Sequence, residues 1–79
     1  MALSEEQHKL NRELIALARS KGFAEHSIEL ILMLICTKDM VAKVGSTEEA
    51  TRRAIEFCKQ SETEQDCIEA QLQLIGIDD

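Results

Sequence analysis

Residues 27–37 read SIELILMLICT, and seven in succession, Leu30 to Cys36, are apolar. That run is far short of the roughly 20 apolar residues that span a bilayer, so protein must cover it. Wound as a helix, the segment divides into two stripes. Ile28, Ile31, Leu32 and Ile35 form the first; Leu30 and Leu34 form a second, roughly opposite, with Met33 beside it. A surface helix carries one apolar stripe and a polar back. This segment needs covering on both sides, which predicts a central helix. If it continues past its end, Thr37, Met40, Val41 and Val44 extend the second stripe.

Working outward, Ser4 with Gln7 has the spacing of a capping box, in which each side chain satisfies a free backbone N–H. Leu10, Leu14, Leu17 and Ala18 then recur at helical intervals, so a first helix is predicted from residue 5 to about 21. Gly22 follows as the left-handed residue that ends many helices, with Phe23 as the apolar residue that packs back on the last turn. The central helix begins near Ala24 or Glu25. Ser46 with Glu49 and Ser61 with Glu64 repeat the box, opening a helix to Gln60 and a last helix ended by Gly76. The chain has no Pro and three scattered Gly, so the strongest helix breakers are nearly absent.

The predicted fold is all-α, one domain over residues 1–79. Four main helices form a small bundle as two helical hairpins, 4–37 and 46–76, with a short helix or helix extension at 38–44. The expected core is Leu10, Leu14, Leu17, Ile28, Ile31, Leu32, Ile35, Ala54, Phe57, Ile68, Leu72 and Ile75. At an offset of 40, Arg12, Ile15, Ile28, Glu29, Leu32, Leu34 and Ile35 recur as Arg52, Ile55, Ile68, Glu69, Leu72, Leu74 and Ile75. An internal duplication accounts for this, and so does the shared rhythm of any two hairpins facing one core. The last helix departs from the match at Gln71 and Gln73, which stand where the central helix has Ile31 and Met33. It therefore needs only one covered face.

A chain of 79 residues has room for one core. Its 44% apolar content includes only two aromatics, Phe23 and Phe57, so that core is aliphatic. The net charge of −6 is uneven: residues 61–79 hold six acids and no Lys or Arg. This acidity argues against nucleic acid and anionic membranes, both of which select clustered Lys and Arg. The opening MALSEEQHKL lacks the basic region and apolar run of a signal peptide. Cys36, Cys58 and Cys67 form no CxxC and are expected as reduced, inert thiols in a cytoplasmic protein.

Catalytic and metal chemistry find little support. Glu5 with His8 and His26 with Glu29 have the i, i+3 spacing of helical di-metal sites. Both pairs lie near helix N-termini, which an antiparallel hairpin holds about 15 Å apart. They are read as surface residues. No base neighbours a Ser or Cys in a pattern that would activate it, and isolated Gly cannot cradle a phosphate. The size, acidity and helicity are those of acyl carrier proteins, but the Asp-Ser-Leu tripeptide that is modified there is absent. No enzyme, cofactor, metal or small-molecule substrate is expected.

The segment LARSKGFAEHSIELI, residues 17–31, resembles a DNA-binding helix-turn-helix in its spacing. Ala18 matches the small residue that lets the helices approach, Gly22 the turn, and Ile28 and Ile31 the core positions. The likeness covers about 20 residues and departs at Lys21, where an apolar residue is usual. The reading helix it implies would present Glu25, His26, Glu29, Leu30 and Met33, a poor set for phosphates or base edges.

These features favour a non-enzymatic interaction module, a small acidic adaptor or inhibitor that binds another protein through helix faces. A helix-turn-helix regulator is the alternative, and a non-catalytic subunit of a larger complex the third reading. Leu30, Met33, Leu34, Met40, Val41 and Val44 offer more apolar surface than one neighbouring helix hides. They are the expected protein interface, and a homodimer is expected across them.

Overall fold

The computed structural model describes residues 3–76. They form five helices and, among the described residues, no strand: α1 Glu5–Ser20, α2 Glu25–Ile35, α3 Lys38–Val44, α4 Thr47–Gln60 and α5 Glu64–Ile75.

The helix ends follow local chemistry. Ser4 Oγ accepts the Gln7 N–H at 3.0 Å and opens α1. At its other end the Gly22 N–H reaches Arg19 O and the Phe23 N–H reaches Ala18 O, with Gly22 at φ 83°. That paired arrangement satisfies carbonyls the helix leaves free, and it needs a residue at ease in the left-handed region. Phe23 is buried as the arrangement requires. Ser46 caps α4 through the Glu49 N–H. The run at 30–36 does not continue into the connector. Thr37 Oγ1 accepts the Met40 N–H and donates to Leu34 O, so one side chain both closes α2 and opens α3.

Two capping expectations are corrected. The Gln7 side chain does not turn back to Ser4; it is buried and donates to Asn11 Oδ1 at 2.9 Å and Thr51 Oγ1 at 2.7 Å. The cap of α5 is Thr63, which accepts the Asp66 N–H, and not Ser61. Thr63 and Asp66 have the same spacing as Ser61 and Glu64, two residues later, so local pattern alone could not choose between them.

The most extensive packing joins the halves: α1 lies chiefly on α4, and α2 contacts α4 and α5. The reason is in α4, whose inward positions Ala50, Ala54 and Cys58 repeat at i+4 and are all small. They let Leu10, Leu14 and Ala18 of α1 approach closely. All twelve expected core residues belong to the core or pack against it, although Leu17, Leu32, Phe57, Leu72 and Ile75 are only partly buried. The core also takes Leu34, Met40 and Cys67, beyond expectation.

Gln71 overturns the reading of α5. It is 1% exposed, at the centre of the buried face, in the place of Ile31 forty residues earlier. Neither its amide nitrogen nor its amide oxygen has a hydrogen-bond partner.

Candidate functional site

Helix α2 is covered on one side. Ser27, Ile28, Ile31, Leu34 and Ile35 are buried; Glu25, His26, Glu29, Leu30, Met33 and Cys36 face outward. Among the described residues Met33 is the most exposed large apolar side chain, at 67%, and Leu30, one turn earlier, is at 41%. Residues three apart on a helix are surface neighbours, so the two form one small apolar patch between Glu29 and His26.

The six residues expected at an interface thus divide. Leu30 and Met33 lie on the surface. Leu34 and Met40 are buried within the single chain. Val44 packs against the core from the end of α3, and Val41 is half-buried. Leu34 belongs to the inward face of α2 itself, and the helix break at Cys36 and Thr37 accounts for Met40. Continued straight, the helix would have carried Met40 along the outer stripe; the new direction of α3 turns Met40 inward, against α4 and α5.

At the corner between α1 and α2 the four residues that carry the helix-turn-helix resemblance can be placed. Ala18, Ile28 and Ile31 are buried, and Gly22 makes the turn. Glu25, His26, Glu29, Leu30 and Met33 are exposed together on α2. Arg19 forms a two-pronged ion pair with Glu25, both contacts at 3.0 Å. The Arg19 hydrogen bond holds the Glu25 carboxyl below its ordinary range.

Lys21, the departure from that motif, has a partner far away in sequence. Its ammonium donates to the carbonyls of Cys58 and Ser61, at the C-terminal end of α4, which ends without a glycine. A cation there satisfies free carbonyls and complements the helix dipole. The reciprocal contact comes from α5. Glu64 accepts the Ser27 hydroxyl at 2.6 Å and the Ala24 N–H at 2.8 Å, closing the N-terminus of α2, whose own cap residue Ala24 has no side chain able to do so. These two bonds, Ser27 first, hold the Glu64 carboxyl below its ordinary range.

Cys58 and Cys67 are both buried, and burial pushes the Cys67 thiol up to about 12. Among the described residues, no three His, Cys, Asp or Glu side chains converge to hold an ion. No helix among them is long and apolar enough to cross a membrane. The chain matches no known family, no characterised protein and no solved structure.

Proposed function

We propose that the protein is a non-enzymatic interaction module, a small acidic adaptor or inhibitor, which binds a protein partner on the outer face of α2. The observation that carries this reading is Met33, two-thirds exposed beside Leu30 on an ordered helix. An unbranched, polarisable Met adapts to a partner's shape, which suits it to a binding surface. We propose the homodimer as the first form of this association. Two copies of α2 crossing antiparallel about a two-fold axis would set Leu30 and Met33 against their mates. Glu25 and Glu29 of each would then approach Lys38 of the other. Light scattering with size exclusion over a concentration series tests this. Wild-type protein should gain mass with concentration, and Met33→Glu should remain at one chain. Wild-type protein that stays at one chain throughout overturns the homodimer. An affinity capture from native cells that depends on Met33 would then carry the adaptor reading alone, and capture insensitive to Met33→Glu would end it.

The helix-turn-helix reading is favoured by one observation, the corner at which Ala18, Ile28 and Ile31 are buried and Gly22 makes the turn. Gel shifts on mixed-sequence DNA at low salt separate it from the first, since phosphate contacts strengthen as salt falls. The third reading, a non-catalytic subunit of a larger complex, would appear as stoichiometric co-purification.

We also read the fold as a small bundle of two duplicated helical hairpins in one domain. Moved by 40, α1 ends where α4 ends and α2 ends where α5 ends. Lys21 meets Ser61, and Ala24 meets Glu64, at the same separation of 40. Equivalent positions touch one another where a two-fold relation between halves has its axis, and these two corners are such a place.

A further inference from the structure

The chain divides into two bodies that hold each other more than they hold themselves. Helices α1 and α2 touch one another lightly; α1 buries its apolar face against α4, and α2 buries its own against α4 and α5. Helix α3 also lies on α4 and α5. Long-range polar contacts run the same way, Gln7 to Thr51, Lys21 to Ser61 and Ser27 to Glu64. Only Cys36 and Thr37 join the α1–α2 body to the α3–α5 body. Cys36 is near helical geometry, at φ −90° and ψ 1°, whereas Thr37 has a helical φ of −71° and an extended ψ of 151°. One torsion, Thr37 ψ, therefore separates the bent connection from a straight one. From Glu25 to Val44 the chain holds no Gly or Pro, so no strong breaker opposes one continuous helix. At the bend itself the Thr37 hydroxyl caps α3 and bonds Leu34 O.

We propose that the protein exchanges these bodies with a second copy of itself. Thr37 ψ turns to the helical value, α2 and α3 join into one helix over residues 25–44, and the α1–α2 body of each chain packs on the α3–α5 body of the other. Every contact between the bodies is kept and is made between chains, the condition under which identical chains exchange elements at low cost. A two-residue connection is also the kind of short hinge that invites exchange. The joined helix gives the two apolar stripes of residues 27–44 a common purpose. On a straight helix Met40 lies about 140° around from Ile35. Ile28, Ile31 and Ile35 then face α4 and α5 of the other chain while Met40 stays on those of its own, so the helix bridges two bodies. Leu30 and Met33 face away from the contacts between the bodies. This dimer is therefore distinct from one joined through the outer face of α2.

The test is refolding of the full chain from denaturant over a range of concentrations, followed by size exclusion with light scattering. Every protein carries Met33→Glu, which removes association through the outer face of α2 and so keeps the two kinds of dimer apart. At high concentration this chain should refold in part to a two-chain species with an unchanged far-UV spectrum. That species should persist for hours after dilution, because return requires the bodies to part. Thr37→Ala takes away the cap and suits a helix interior. Each dimer contains two hinges, so its dissociation constant, read after equilibration, should fall about tenfold or more. Lys38→Pro acts in the opposite direction. Lys38 is exposed at the first position of α3, where Pro is well suited and keeps Thr37 extended. Inside a joined helix the same Pro clashes with the Leu34 carbonyl. It should leave a single chain at every concentration. If Thr37→Ala fails to fold, Met33→Glu with and without Lys38→Pro decides the matter. The proposal is overturned if only single chains are recovered, if the two-chain species forms equally with Lys38→Pro, or if a folded Thr37→Ala chain leaves the dissociation constant unchanged.

Discussion

Replacing Gln71 by Met tests the energetics of this core most directly. The two side chains are unbranched, close in size and equal in helix propensity, so the substitution changes chemistry more than shape. In the native fold the Gln71 amide is 1% exposed, and both of its polar atoms lack a partner. In the unfolded chain water satisfies them. Burying such a group unpaired costs about 1–3 kcal/mol, and Met removes that cost while adding apolar contact. For a domain of this size each kcal/mol moves Tm by roughly 4–8 °C, so Gln71→Met should raise it by about 5–20 °C. Urea titration followed by circular dichroism should show a higher midpoint at an unchanged slope, the mark of a change in stability rather than compactness. The matching change at exposed Gln73 should leave the midpoint within about 0.5 kcal/mol of wild type. A Gln71→Met protein no more stable than wild type would show that the amide is satisfied in solution, and the reasoning fails.

Four further substitutions follow from the same structure. Leu34→Glu puts a charge into the core and should abolish the cooperative thermal transition, whereas Met33→Glu, on an exposed position, should stay within about 0.5 kcal/mol of wild type. Glu64→Gln should weaken the fold most at neutral pH. The folded carboxyl lies below its ordinary 4.5, so its contribution is complete above that value and is lost as pH falls through the folded pKa. The stability gap between Glu64→Gln and wild type should therefore narrow in acid, and a gap independent of pH would remove the charge from the argument. Gly22→Ala should cost about 1–2 kcal/mol in urea titration, because nothing crowds the added methyl and only the left-handed backbone opposes it.

The parts of this fold that were legible in the sequence are those decided within a few residues. Ser4, Ser46, Gly22 and Gly76 sit at helix ends because each helix end must satisfy its own backbone groups nearby. Leu10, Leu14, Ile28, Ile31 and Ile35 are buried because helical spacing alone puts them on one side. Gln71 was misplaced by its chemistry, although its spacing from Ile68 and Ile75 puts it on the inward face. Met40 turns inward because the Thr37 cap redirects the chain, and one hydroxyl decides that against a strongly apolar run, whereas Leu34 is buried on α2's own inward face beside Ser27. Nothing local to Lys21 or Glu64 signals the contacts they make. Their partners lie 37 to 40 residues away, and only the assembled fold brings them together. Of the expected interface, Leu30 and Met33 remain on the surface, while Leu34 and Met40 are inside.

The pairing of α1 with α4 also orders events during synthesis. When α1, α2 and α3 have left the ribosome, Leu10, Leu14 and Ala18 still lack the small-residue ridge of Ala50, Ala54 and Cys58 that covers them. The cap that Glu64 provides for α2 arrives later still. The first half of the chain therefore emerges with its apolar stripes bare and one helix end unsealed, while the residues that cover it are still inside the exit tunnel. Most helical bundles of this size settle through neighbours in sequence and fold fast. Here the contacts between α1 and α4 and between α2 and α5 close long loops, so folding should be slower than in a bundle built from sequence neighbours.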